Sequence, residues 1–311
     1  MLFRPLLAAT FLGLAVPAAA ETLPIAGSDP ASANVNDLLR ISVDRFEGEG
    51  GGALAQRLEA ALGDARFDGR SYYRIVAPES GAPIDGLVTG TTRASVEEAP
   101  MIEKRKKCTE YDPKDKDKCL KEVDVDIRCR SRTITVTTTA RLVAIDDGSV
   151  RYTRPLNARD QQTYCPDRSA SRTVDDYIEW ARGTQVQAIR RDLAPVAYGI
   201  DVRVDENRKG LSKPAAESFK EAIRLTKTSP AAACEAWGAL TRDAEPTAAL
   251  AFNLGLCAEM DRDFDAAIDW YGQAQRLGSK NRDIGEGLAR IDRHRRALAD
   301  WAARKRLMGV D

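Results

Sequence analysis

The stretch KEVDVDIRCRSRTITVTTTARLVAIDDGSV, residues 121–150, decides the fold class. Val123, Val125, Ile127 and Cys129 alternate with charged neighbours, the period-2 pattern of a strand with one shielded face. Ile134, Val136, Ala140 and Leu142 then follow on the opposite parity. A slip of one residue turns every side chain to the other face, so the reading expects a bulge or bend between Cys129 and Ile134. Asp147-Gly148 is a hairpin signal, after which residues 150–164 return as the next strand. Upstream, a strand opens at Leu87 and Val88 and runs to the basic run Lys104-Arg105-Lys106-Lys107, with a charged turn at 112–118. The result is a long β meander.

The cysteines sharpen that reading. A two-residue loop at Asp147-Gly148 pairs position 146 with 149, which leaves Cys129 one residue from Cys165, a gap that the expected bulge closes. Cys108 and Cys119 flank the charged turn symmetrically. Both pairs are expected to form cross-strand disulfides. Six cysteines, an even number, fit an exported chain with three bonds. A zinc site is disfavoured, because His294 is the only histidine and no C-x-x-C is present.

Residues before and after the meander add helices. Leu39, Ile41 and Val43 alternate with polar residues as a strand, followed by a glycine-rich turn at 47–52. Leu54, Leu58 and Leu62 recur at helical spacing, and residues 72–77 read as a second strand. The turn lacks a G-x-G-x-x-G or a P-loop lysine, and Glu47 and Glu49 would repel a phosphate, so a plain turn is expected. Thr173 with Asp176 three residues on opens a helix that Pro195 breaks. Tyr198, Ile200, Val202 and Val204 then read as a closing strand of the same sheet. The class is α+β: a mixed sheet with a long meander and packed helices, over residues 36–205.

The N-terminus reads as a cleavable export signal. Arg4 precedes a short apolar run at 6–16, and Ala18-Ala19-Ala20 supplies the small side chains of a cleavage site after Ala20. No cysteine lies near that junction, so lipidation there is not expected, and no later run is long enough for a transmembrane helix. Lys+Arg and Asp+Glu stand at 47 each, which gives no net field toward nucleic acid. The expected location is the periplasm.

With Ile41-Ser42-Val43 before an amphipathic helix and Asp85-Gly86-Leu87-Val88-Thr89-Gly90 after it, residues 36–205 resemble the periplasmic domain shared by the curli-assembly CsgG proteins and the penicillin-binding-protein activator lipoproteins. The resemblance implies an envelope role. The chain departs from it in having no lipidated cysteine and no apolar-out strand pattern of a membrane barrel.

Beyond a linker at 206–213, residues 214–311 read as all-α. Residues 251–277 resemble a tetratricopeptide repeat, with Ala251, Leu254-Gly255, Ala267, Tyr271 and Ala274 at its small and aromatic positions. A 34-residue step back places Ala233 and Trp237 in a degenerate repeat, and a terminal helix runs from Asp283. Leu288, Ile291 and Leu298 are its expected docking stripe; Arg304 and His294 are expected on its solvated face. The resemblance implies a third disulfide, Cys234–Cys257, at the seam between repeats. It also implies a peptide groove at Phe252, Asn253, Leu256 and Glu259, with Asn253 bonding a ligand backbone. The function expected is non-enzymatic: an envelope adaptor that binds a protein partner, with no cofactor. The alternatives are a subunit of an outer-membrane-associated secretion complex and a carboxylate hydrolase using Asp124 and Asp126, whose alternation with Val123 and Val125 instead marks a solvated sheet face.

Overall fold

The computed structural model describes residues 21–242 and 245–310, so the expected signal segment lies outside the described residues. The chain is mixed α/β, and contacts divide it into two compact units. Among the described residues, one comprises 28–197 and 293–310; the other comprises 21–27, 198–242 and 245–292.

The first unit is built on a five-stranded mixed sheet. Its strands are β2 (Arg40–Val43), β5 (Arg74–Ile75), β6 (Gly86–Asp112), β7 (Asp115–Ala144) and β8 (Val150–Tyr164), in the order β5-β2-β6-β7-β8. β2 runs parallel to β5 and β6, whereas β6, β7 and β8 form an antiparallel meander. The short pair β3 (Arg66–Phe67) and β4 (Arg70–Ser71) stands apart, and the strand expected at 72–77 is limited to the two residues of β5. Tyr72 and Tyr73 are both buried in the core just before it.

Helices α1 (Gly51–Gly63) and α2 (Val174–Leu193) contribute to the apolar core over this sheet. Leu54, Leu58 and Leu62 of α1 and Val186, Ile189 and Leu193 of α2 share one cluster with Ile41, Val43, Val88, Ala140 and Leu142. The Thr173 hydroxyl caps α2 by accepting from the Asp176 amide and donating to its carboxylate. A buried polar chain pins α2 to the sheet: Thr138 lies 3.0 Å from Thr92 Oγ1 and donates to Gln185, whose amide donates to the Val136 carbonyl. Two features of the 85–90 segment have physical causes. Asp85 accepts from the amides of Leu39 and Arg40 and from the Arg40 guanidinium, which fixes where β6 starts beside β2. Gly90 leaves room for Phe46, whose ring a Cβ there would meet at 2.6 Å.

The expected bulge between Cys129 and Ile134 is absent. β6 and β7 keep one register from Gly86↔Ala144 to Cys108↔Glu122, with shifts only beyond Cys108. The irregularity that brings Cys129 opposite position 165 lies instead between Leu142 and Val143, next to a turn longer than two residues. The parity change has another cause: even-numbered positions near 134–142 face the helices, and odd-numbered positions at 123–129 carry the apolar residues on the opposite face of an unbroken pleat.

The unit's last element is the C-terminal part of α7 (Asp283–Met308), where Ala297 and Trp301 join the same core. Arg304, expected on a solvated face, is fully buried. Its guanidinium donates to the carbonyls of Tyr72, Asn36 and Leu38 and lies 4.1 Å from the Tyr72 ring centroid. His294 is also buried, and its Nδ1 accepts from the Ser28 amide at 2.8 Å. A single sequence shows the apolar stripe of such a helix but not which of its charged residues meet a nest of carbonyls.

The second unit contains α3 (Lys213–Leu225), α4 (Pro230–Leu240), α5 (Ala248–Met260), α6 (Phe264–Arg276) and the start of α7. The strand expected to close the main sheet, β9 (Val196–Arg203), pairs instead with β1 (Thr22–Asp29), a strand the sequence reading missed. Leu23, Ile25, Val202 and Val204 belong to the core cluster of this unit, with Phe219, Trp237, Phe252 and Tyr271. Gly255 is required by α6, because a Cβ there would sit 2.5 Å from the Tyr271 ring.

Candidate functional site

Beyond the end of β8 the hairpin β6–β7 continues alone. The last pair shared with β8 is Arg130↔Tyr164, whereas β6–β7 pairing runs on through Met101↔Cys129 to the tip. At about 3.3 Å per residue, positions 101–112 extend roughly 35 Å along the strand. Most side chains of this arm are exposed, including Ile102, Tyr111 and Leu120.

Its two faces differ. Lys104 lies opposite Asp126 and Lys106 opposite Asp124, with Lys106 also bonded to Glu122 at 3.1 Å, so one face is a ladder of opposite charges. The other face carries Val123, Val125 and Ile127, opposite Lys107, Arg105 and Glu103, whose long stems flank the apolar row. The basic run at 104–107 thus divides between both faces. Asp124 and Asp126, the hydrolase alternative, are exposed partners of lysines.

Pro100 shows how the arm keeps an open edge. Backbone bonds between Thr92 and Glu47, and from Asp44 and Glu47 to Val88 and Gly90, aim even-numbered positions of β6 away from β7. Pro100 has that parity, so its missing N–H removes no rung, and it blunts the unpaired edge.

Covalent bonds close both ends of the arm. Cys108–Cys119 staples the tip and Cys129–Cys165 the root, with Cα separations of 5.8 and 4.2 Å. Both pairings are those expected from the hairpin geometry. Around the root, Arg105 donates to Glu103 at 2.7 Å and to Asp167 at 2.6 Å, and Arg168 donates to Glu103 at 2.8 Å. The hydrogen bond from Arg105 holds the Glu103 carboxyl below its usual range, with burial opposing and the charges of Arg105 and Arg168 assisting. Glu103, Cys129 and Cys165 bring metal-type ligand atoms within 4.8 Å of one another, but the two sulfurs are bonded to each other.

The predicted peptide groove takes a different form. Phe252, Asn253 and Leu256 are fully buried and Glu259 nearly so, so these side chains form core and not an open surface. Asn253 does grip a backbone, but the chain's own: its Oδ1 accepts from the Asp205 amide at 2.8 Å and its Nδ2 donates to the Asp205 carbonyl at 3.0 Å. Phe252 and Leu256 share the cluster with Leu23, Ile25, Val202 and Val204. Glu259 accepts from Arg290 at 2.8 and 2.9 Å and from the Tyr271 hydroxyl at 2.7 Å. Burial, with the Glu259 carboxylate beside it, pushes the Tyr271 hydroxyl far above its ordinary value. Helical spacing singled out these positions; it gave no sign that they would be buried in one cluster with strands distant in sequence. The third disulfide, Cys234–Cys257, joins α4 to α5.

Three disulfides fit an extracytoplasmic protein. Among the described residues no helix is long and apolar enough to cross a membrane. No family model and no curated protein matches the chain. Solved structures resemble about half of it. A protein assigned as a lipoprotein from Caulobacter crescentus is 15% identical, covering 51% of this chain and 89% of its own, with a TM-score of 0.25. A minor lipoprotein from Acinetobacter baumannii is 12% identical over 50% of this chain and 91% of its own, at 0.24. A protein assigned as a neuraminyllactose-binding hemagglutinin homologue from Helicobacter pylori is 12% identical over 53% of this chain and 89% of its own, at 0.29.

Proposed function

We propose that this chain is a non-enzymatic periplasmic interaction protein that contacts a protein partner of the cell envelope through its hairpin arm. The observation that carries the reading is the β6–β7 ladder, which continues past the end of β8 and, among the described residues, pairs with no further strand, its side chains mostly exposed beyond the root contacts of Glu103, Arg105 and Cys129. A structure of this kind adds little to a core, because it buries little apolar area. Stapling it at tip and root lowers the ordering cost of binding, as expected for a preformed docking element. Tyr111 and Leu120 are exposed beside the tip disulfide, and tyrosine is over-represented among residues that dominate interfaces.

The helical unit takes the supporting role in this proposal. Its pairs α3–α4 and α5–α6 resemble tetratricopeptide repeats, a module that ordinarily holds extended peptides. Here Phe252 and Leu256 belong to one core cluster with residues of β1 and β9, Asn253 holds the backbone of Asp205, and Glu259 is bonded to Arg290 and Tyr271, so these positions serve the unit's own core.

Site-specific photocrosslinking in the envelope tests this. Photoreactive residues at Tyr111 and Leu120 are expected to capture one defined partner, and the same probe at Ile268 of α6 is not. Capture only from Ile268 would move the interaction to the helical unit and refute the arm as the docking element.

A further inference from the structure

The root disulfide differs from the tip disulfide in what faces its sulfurs. At the tip, Cys108 and Cys119 Sγ lie 3.1 and 3.3 Å from backbone carbonyls of Glu110 and Lys121. At the root, Arg105 divides its guanidinium three ways. Nε is held by Glu103 at 2.7 Å and Nη1 by Asp167 at 2.6 Å, which leaves Nη2 aimed at Cys165 Sγ from 3.1 Å. Arg168 Nη2 stands 3.8 Å from the same sulfur. The Glu103 carboxylate stands beside both sulfurs, 3.5 Å from Cys165 Sγ and 3.8 Å from Cys129 Sγ. The sulfurs are therefore unequal in their cations: the two guanidinium contacts fall on Cys165.

We propose that Cys129–Cys165 is a thiol–disulfide exchange site in which Cys129 is attacked and Cys165 is the leaving thiolate. A thiolate of an external dithiol attacks Cys129 Sγ and forms a mixed disulfide. The Cys129–Cys165 bond breaks, and its electron pair leaves on Cys165, where Arg105 donates to it. The second thiol of the dithiol, deprotonated, then attacks the mixed disulfide and releases Cys129. The dithiol is oxidised by two electrons, and both cysteines end reduced. Adjacent cations lower a thiol's pKa, and a leaving thiol of lower pKa departs faster.

Access is compatible with this chemistry although both cysteines are buried. β8 ends at Tyr164, and the backbone of Cys165 beyond it is bonded to Arg168 in an isolated bridge, so the segment over the sulfurs lies past the end of a ladder. Such ends open locally at a small fraction of the global unfolding free energy. Exchange would untie β8 and the 165–172 loop from the arm root while the tip staple keeps the hairpin closed. The site thus offers a way to change the arm's anchorage by modification.

The test uses the oxidised full chain with dithiothreitol under native conditions. Samples are quenched with an alkylating agent, and peptide mapping follows each disulfide with time. Leaving-group stabilisation predicts that Arg105→Gln slows opening of Cys129–Cys165 about tenfold and Arg168→Gln slows it less, with Cys108–Cys119 unchanged in both. A clasp that merely holds the loop predicts the opposite, faster opening when Arg105 is removed, and that result would overturn the proposal. So would rates unchanged in both variants, or equal slowing of the root and tip pairs. With glutathione as a monothiol probe, the trapped adduct is expected on Cys129; an adduct on Cys165 would reverse the direction of attack and refute the assignment.

Discussion

The two ends of the β6–β7 ladder share a register but not an environment. Near 134–144 the even-numbered side chains are packed under α1 and α2, and Ile134, Val136, Ala140 and Leu142 are essentially inaccessible. Near 101–129 the same strands carry charge pairs on one face and a thin apolar row on the other, and most of their side chains are exposed. The difference teaches that hydrophobic parity reports which face is shielded, not whether the pleat is continuous. A change of cover produces the same sequence signal as a bulge.

The largest expected effects lie at the covered end. Leu142→Ala should cost about 2–5 kcal/mol, as for other buried leucines, whereas Val125→Ala in the arm should stay within about 0.5 kcal/mol. Denaturant titration of both variants checks this, and comparable losses at the two sites would erase the distinction.

Next in size is Arg304→Met. It removes the donors for two buried carbonyls and one partly buried one and should cost about 3 kcal/mol, since leaving even one buried acceptor unmet costs about 1–3 kcal/mol. Burial already pushes this guanidinium below its usual pKa. A thermal melt equal to that of the parent would show that α7 docks by its apolar stripe alone.

A smaller effect is expected in acid. Burial raises the Asp85 carboxyl, but the hydrogen bonds from the Arg40 side chain and from the Arg40 and Leu39 amides outweigh it, and its pKa lies below the ordinary aspartate value. A depressed carboxyl stabilises above its unfolded pKa, and that contribution is lost as pH falls through the folded value. Asp85→Asn should therefore remove about 1 kcal/mol or less near neutrality, the pair being partly exposed, and should flatten the stability profile below about pH 4. An unchanged acid limb would contradict this.

The smallest effect on global stability is expected from opening the tip. Cys108→Ser with Cys119→Ser should raise amide exchange across 104–124 and leave the melting temperature within about 2 °C, because the arm is peripheral to the cooperative core. A large drop in melting temperature would mean that arm and root fold as one unit.

Much of this arrangement was legible in the sequence. Alternation gave the meander, Leu54, Leu58 and Leu62 gave α1, and the spacing of cysteines about the turns gave both hairpin disulfides. The Cys234–Cys257 pairing followed from the repeat resemblance. Three things were not legible, each for a physical reason. β1 alternates only at Leu23 and Ile25, and its partner β9 is far away in sequence. Phe252 and Leu256 look the same whether a groove is open or filled. Arg105 stands inside a run of four cations, and only three-dimensional packing shows which one faces a sulfur.

The most direct test of the central claim is the thermal melt of a chain whose hairpin is shortened by replacing residues 104–126 with Asn-Gly, a two-residue turn that keeps Glu103, Ile127 and the root disulfide. The account predicts a cooperative transition within about 2 °C of the full-length chain, because root and arm share strands but not a core. Loss of cooperativity, or a fall of more than about 10 °C, would show that the arm is part of the folding core and contradict its assignment as a projecting contact element.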